Sequence, residues 1–217
     1  MLLDLIGDPR GKRVLDFGCG DGAVTWALAE KGAARVVGVD SSGEMIAAAR
    51  ERGAAQERRI RGRVELHSGD ELRIARLPRF DIIVCSLVLM MMAKRERLER
   101  TISDLVGRLE PDGRLFFGLT HPCFRSSRHS TFYNHLPEEF DYWSSGTPYE
   151  VHLHSERIEN EIVFIDYHWT LQDVLRSLRP VGAVVADCVE IGTQPDDNGG
   201  FSDEPAYLLL EIWPRQK

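Results

Sequence analysis

The chain has 217 residues, 43% hydrophobic and 28% charged, with 34 acidic against 27 basic side chains and a formal charge of −7. That composition suits one globular domain with enough chain to bury a core. The acidic balance argues against a nucleic-acid partner, because such binding draws its affinity from clustered Lys and Arg.

In chain order, residues 13–17 read as a first strand ending at Gly18, and 24–31 as a helix stopped by Gly32. Residues 35–39 read as a second strand. Ser41 and Glu44 behind it have the spacing of a capping box that opens a helix to residue 52. A third strand is expected at 64–67. The most apolar run, 80–87, predicts a central strand buried on both faces. The run 95–109 predicts a helix with Leu98, Ile102, Leu105, Val106 and Leu109 on one stripe. Pro111-Asp112-Gly113 reads as a turn into a fifth strand at 114–119. This alternation predicts an α/β fold, a mainly parallel sheet with helices on both faces.

From His121 the rhythm breaks. Residues 124–150 read as an irregular stretch, followed by strands at 151–154 and 158–167. Thr170 is expected to cap a helix carrying Leu171, Val174, Leu175 and Leu178 on its buried face. Strands at 183–191 and 206–213 close the chain. The whole reads as a single domain, 1–217, with residues 121–168 as an insertion that covers the substrate. Cys19, Cys85, Cys123 and Cys188 form no CxxC pair, and Cys19 and Cys85 lie in apolar runs, as reduced core thiols do. With no signal-peptide pattern and no apolar run of roughly 18 residues, the expectation is a cytoplasmic protein without a membrane span.

Between the first strand and first helix lies Asp16-Phe17-Gly18-Cys19-Gly20-Asp21-Gly22. Glycines there let backbone approach a ligand beside free helix N–H groups. With Asp40 about twenty residues on, the segment also fits a loose dinucleotide fingerprint. Asp16 and Asp21 would repel a pyrophosphate and suit a cationic ligand such as S-adenosylmethionine, which presents a sulfonium and an ammonium. Asp40 could accept from both ribose hydroxyls, and Asp70 could accept from an adenine amino group. Each acid also has a plain structural reading: Asp16 as a helix cap, Asp40 as a turn residue, Asp70 as a strand terminator.

Val14 to Gly22 resembles motif I of the class I S-adenosylmethionine-dependent methyltransferases. Val37-Gly38-Val39-Asp40-Ser41-Ser42 resembles their second motif. Phe80 to Leu87 resembles the fourth-strand motif, and Leu109 to Leu115 the turn before the fifth strand. The resemblance, closest to small-molecule members of the type-11-like group, implies a Rossmann-like seven-stranded sheet in the order 3-2-1-4-5-7-6 with strand 7 antiparallel. It implies a cofactor site at Asp16, Gly18, Cys19 and Gly20, then Asp40, Ser41 and Met45, then Asp70 and Glu71, with Ser86 and Leu87 at the methyl-donor end. The implied reaction is methyl transfer from S-adenosylmethionine to a small organic acceptor, leaving S-adenosylhomocysteine. A non-catalytic S-adenosylmethionine-binding subunit and a nicotinamide-dependent oxidoreductase are the alternatives.

Two departures stand out. Only about a dozen residues precede motif I, where relatives carry a helical lid, so either the chain is shortened or the lid comes from elsewhere, from a homodimer or a partner chain. After the fourth strand stands Leu89-Met90-Met91-Met92, where relatives often have a polar residue. This run is either an apolar acceptor wall or plain core packing.

Residues 121–169 hold six of the seven histidines and ten of the eighteen aromatic residues. They form either a lid over a flat organic acceptor or a satellite core. Met90, Met91, Phe124, Tyr142 and Trp143 are the expected acceptor contacts. An acceptor hydroxyl or amine must lose a proton, so His121 and His168, with Tyr133 behind them, are the candidate bases. His152 and His154 share a strand face, but nothing nearby in sequence completes a metal site, and none is expected.

Overall fold

The computed structural model describes residues 1–69, 77–153, 162–192 and 204–215. Its strands are β1 (Arg13–Phe17), β2 (Arg35–Asp40), β3 (Val64–Ser68), β4 (Phe80–Ser86), β5 (Leu109–Thr120), β6 (Phe132–His135), β7 (Pro148–Leu153), β8 (Ile162–Tyr167), β9 (Ala183–Gly192) and β10 (Pro205–Pro214). The helices are α1 (Leu2–Ile6), α2 (Ala23–Glu30), α3 (Gly43–Ala54), α4 (Arg58–Arg61), α5 (Arg95–Gly107) and α6 (Leu171–Leu178).

Seven strands form one sheet in the order β3-β2-β1-β4-β5-β10-β9. The first five pair in parallel, and β10 runs antiparallel to both β5 and β9. Leaving out the strands of the insertion, this is the expected order 3-2-1-4-5-7-6 with an antiparallel last strand. Strand alternation sends neighbouring residues to opposite faces, and each face is covered. Leu15, Ile83 and Phe117 pack with α5 (Leu98, Ile102, Leu105) and α6 (Val174, Leu178). On the other face, Val14, Ile82, Val84 and Phe116 pack with Ile6 of α1 and Leu28 of α2. The central position of β4 therefore explains its unbroken apolar run.

Four local details differ from expectation. The cap of α3 is Ser42, whose hydroxyl accepts from the Met45 N–H at 3.2 Å, and not Ser41. Asp40 causes the slip, because its Oδ1 accepts from the Ser42 N–H at 2.9 Å and turns the chain one residue later. Pro111-Asp112-Gly113 does not precede β5 but bulges from it, since Phe80 pairs with Leu109 and Ile82 with Arg114. Leu109 thus belongs to the strand, not to the helix stripe. The fourth is Leu175, which is exposed on α6.

The insertion folds as a second, antiparallel sheet in the order β6-β7-β8. Residues 124–150 are therefore not wholly irregular. β6 is four residues long, too short to show its own period, and it forms through its pairing with β7. The inner face of this sheet carries Phe132, Tyr149 and Val151, which pack with Ala206 and Tyr207 of β10. No helix among the described residues is long and apolar enough to cross a membrane.

Candidate functional site

The parallel strands β1, β2 and β4 end along one rim, and a cleft of about 550 Å³ opens there. Gly18 and Gly20 have φ values of 72° and 53°, in the left-handed region that favours glycine. Val39 O ties the loop to β2 by accepting from the Gly18 N–H at 2.7 Å and the Cys19 N–H at 3.1 Å. Asp40 Oδ2 accepts from the Gly20 N–H at 2.8 Å, while Oδ1 holds Ser42. Asp40 is also part of the cleft wall, and a carboxylate oxygen can accept more than one hydrogen bond. Of the residues expected at a cofactor, Gly18, Gly20, Asp40, Ser41, Met45, Ser86 and Leu87 line this cleft. Asp70 and Glu71 lie outside the described residues. The sequence reading missed Arg97, which adds a positive charge to the wall and comes from a helix with no glycine motif to flag it.

Asp16 and Cys19 sit beneath the loop rather than on the wall. Asp16 is 3% exposed and accepts from the Thr25 hydroxyl at 2.6 Å, so it is not the helix cap. Burial pushes its pKa up to about 6, against the lowering effect of Thr25. Cys19 is likewise driven up, to about 12, mainly by burial. Asp21 turns outward and pairs with Arg52 of α3. Neither acid flanking the glycines presents a bare charge to the cleft, so charge repulsion of a pyrophosphate is weaker than the sequence implies.

The raised pKa of Asp16 has a stability consequence. Its ordinary value is 3.8. The native state therefore holds this proton more tightly than the unfolded chain does. That contribution is present below about pH 4 and is lost as pH rises through about 6. At roughly 1.4 kcal/mol per unit, the wild type should lose about 2 kcal/mol relative to Asp16→Asn between pH 4 and 7. Denaturant unfolding of both proteins at the two pH values checks this. A difference that does not change with pH would contradict it.

A second cavity, of about 230 Å³, adjoins the cleft. Leu87 and Met91 belong to the walls of both. Leu87 is the one non-glycine residue among those described with a positive φ, 57°. It is held there by its N–H donating to Gly118 O at 2.8 Å, and such strain is typical of ligand sites. The remaining wall is mostly apolar and includes Met90, Phe132, Val151, Leu153 and Phe164, with Thr120, Tyr207 and Asp166 as the polar members. The insertion sheet thus covers this cavity. Met90 is buried and Met91 exposed, so the methionine run serves both as core and as wall.

The residues expected to act as bases are engaged elsewhere. His121 Nε2 lies 2.9 Å from Glu190 Oε1, and its Nδ1 accepts from the Cys123 N–H at 3.3 Å. Burial lowers its pKa. His168 is fully buried, and its Nε2 donates to Tyr142 O at 2.8 Å, fixing the 141–147 turn. Tyr133 stacks on His152 on the face of β6 opposite Phe132. Among the expected acceptor contacts, Phe124 packs on His121, and the Tyr142 hydroxyl accepts from the Leu171 N–H at 3.0 Å. Trp143 is 70% exposed. None of these lines the cleft or the adjoining cavity. Histidine and aromatic content pointed to the segment that covers this cavity, but strand phase decides which side chains face inward.

That phase brings together a buried group the sequence reading passed over. Arg125 donates to the Thr120 hydroxyl and lies with its guanidinium 5.2 Å from the centre of the Tyr149 ring. Asp166 sits directly across from Tyr149 on β8. An acid two residues after Phe164 in an otherwise apolar strand was the available signal. On the outer face of the same sheet, Glu150 Oε2 lies 3.3 Å from His152 Nε2 and 3.7 Å from His135 Nδ1. His152 shares β7 with Glu150, and His135 comes from the neighbouring β6. His154 lies outside the described residues.

Residues 14–113 match a family model described as a methyltransferase domain. A ubiquinone biosynthesis O-methyltransferase from Coxiella burnetii is 33% identical over 117 residues, covering 54% of this chain and 47% of that protein. The chain spans about half the length of the curated relatives it matches. Among solved structures, a Listeria monocytogenes protein described as an S-adenosylmethionine-dependent methyltransferase superposes with TM-score 0.71 at 21% identity, covering 99% of this chain and 95% of that one. The glycopeptide N-methyltransferase MtfA, complexed with S-adenosylmethionine, superposes with TM-score 0.69 at 17% identity over 98% and 85% of the two chains. These likenesses establish a shared fold.

Proposed function

We propose that this chain, with its methyltransferase domain at residues 14–113, transfers the methyl group of S-adenosylmethionine to a small, largely apolar organic acceptor. The observation that carries this reading is the joining of two cavities at Leu87 and Met91: a cleft framed by Gly18, Gly20 and Asp40, and an apolar pocket roofed by the insertion. Methyl transfer is an in-line displacement, so a donor and an acceptor held end to end, with water excluded, provide much of the catalysis. In this arrangement Asp40 holds the ribose hydroxyls, the Gly18–Gly20 backbone borders the methionine portion, and Ser86 and Leu87 border the methyl-donor end. Asp70 and Glu71 are proposed at the adenine. A relative named for an O-methyltransferase and a neighbour named for an N-methyltransferase support the reaction class without choosing the acceptor atom.

The pocket beyond Leu87 favours a catalytic protein over a cofactor-binding subunit, which would need no second cavity. Calorimetric titration with S-adenosylhomocysteine, and separately with a reduced nicotinamide dinucleotide, tests the reading. Binding of the first alone is expected. Binding of the dinucleotide alone would move the chain to the oxidoreductases.

A further inference from the structure

We infer that Asp166 is the proton acceptor of the acceptor pocket, and that the pocket takes an apolar molecule carrying one hydroxyl or ammonium group. This rests on the methyl-transfer reading above and assigns that site a substrate chemistry.

Asp166 is 2% exposed, yet it is part of the wall of the cavity that meets the cleft at Leu87 and Met91. Its Oδ1 is buried and has no hydrogen-bond partner among the described residues. A buried carboxylate oxygen without a donor is costly, on the order of 1–3 kcal/mol, and in a residue that lines a cavity a ligand can supply that donor. Most of the remaining wall, including Leu87, Met90, Phe132, Val151 and Phe164, is apolar, with Thr120 and Tyr207 as its other polar members. An acceptor would therefore be oriented by burial of its body and by a few polar contacts, of which Asp166 is the one acid.

Three further groups bear on Asp166. From β7, the Tyr149 phenol stands opposite it, with its pKa pushed up to about 12 by burial, and so it remains neutral. Arg125, from the segment after β5, acts on it through its positive charge, and Thr120 at the end of β5 occupies a guanidinium nitrogen of Arg125. Burial raises the Asp166 pKa to about 6, while the Arg125 charge and then the neighbouring Tyr149 hydroxyl pull it down. The carboxyl is therefore mostly ionised at neutral pH but still basic enough to take a proton, the balance a general base requires. A cationic methyl donor in the adjoining cleft would favour the ionised form further.

The step balances. A lone pair of the acceptor oxygen or nitrogen forms the new bond to the methyl carbon, and the carbon–sulfur bond breaks with its electrons remaining on sulfur as a neutral thioether. A hydroxyl gives its proton to the Asp166 carboxylate as the new bond forms, whereas an ammonium must first give one up to it to free the lone pair; the carboxyl then releases the proton to solvent. His121 and His168 have no part in it, because their positions lie off the cavity wall.

The test uses the full chain with ¹³C-labelled aspartate carboxyls, with the Asp166→Asn spectrum identifying the Asp166 resonance. Without ligand, the resonance should titrate near pH 6. S-adenosylmethionine should lower that midpoint relative to S-adenosylhomocysteine, since only the former carries the sulfonium charge. With S-adenosylmethionine present, methylation of 4-butylphenol or 4-butylbenzylamine should slow about 10²–10⁴-fold in Asp166→Asn, while its S-adenosylhomocysteine affinity stays within threefold of wild type. Equal midpoints with the two ligands, or a variant rate within threefold of wild type, would remove Asp166 from the reaction. Methylation of neither probe by the wild type would overturn the substrate class. Failure of the wild type to bind S-adenosylhomocysteine is a separate result and would overturn the methyl-transfer reading itself.

Discussion

S-adenosylhomocysteine at about 100 times its dissociation constant is expected to stabilise the wild type by roughly 2.7 kcal/mol, raising Tm by roughly 5–10 °C, and Asp40→Ala should abolish that rise. Asp40 is decisive because it has two duties. Its oxygens hold the Gly20 and Ser42 N–H groups at 2.8 and 2.9 Å, which sets the glycine loop against the start of α3. Its carboxylate also belongs to the cleft wall, where in the proposed reading it meets the ribose. Alanine removes both duties and leaves two backbone donors to water, at an unliganded stability cost of about 1–3 kcal/mol. Asp40→Asn separates the two effects. Its amide oxygen can still accept from one of the backbone donors, so most of the stability should survive while affinity falls more than tenfold. A full ligand-induced rise in Asp40→Ala would place the ligand away from this cleft. A rise lost in alanine but intact in asparagine would show that Asp40 serves the loop and not the ligand.

The Rossmann-like core was readable because its signals are local and repeated. β1 is bounded by Arg13 and Phe17 as its apolar run suggests, and β4 is buried on both faces as its composition demands. Gly18, Gly20 and Asp40 fall on the cleft because strand ends in a parallel sheet share one edge. The insertion was not readable in the same way. β6 exists through its partner β7, and the choice between Tyr133 and Phe132 as the inward residue depends on register that no short run reveals. Counting histidines and aromatic rings therefore led to the segment that roofs the cavity, but to side chains that do not line it. His121 and His168 were drawn into structural hydrogen bonds by Glu190 and Tyr142 O, partners 69 and 26 residues away in sequence. Asp166 was overlooked because an acid in an apolar strand becomes conspicuous only once its face is known to be covered. The charges of Asp16 and Asp21 illustrate a related limit. Sequence adjacency to the glycines says nothing of burial against Thr25 or pairing with Arg52.

Gly18→Ala should cost roughly 2–4 kcal/mol of stability, against roughly 1–2 for Gly20→Ala, although both glycines sit in the same loop with positive φ. The left-handed backbone penalises any side chain at both positions. The difference is space. A Cβ on Gly20 meets no atom within 4 Å, whereas one on Gly18 runs into Val88 Cγ2. Val88 follows Leu87, whose own backbone is held in the left-handed region by Gly118, so it has little freedom to withdraw. The collision therefore passes to the wall shared by cleft and acceptor pocket, and S-adenosylhomocysteine binding should weaken together with stability. Adding Val88→Ala to Gly18→Ala should recover the steric part and leave the backbone part, bringing the double variant close to Gly20→Ala once the small cost of Val88→Ala alone is subtracted. Urea unfolding and ligand titration of the four variants measure both quantities. If Val88→Ala restores neither, the loop and the end of β4 do not touch as described, and the geometry joining the two cavities must be redrawn.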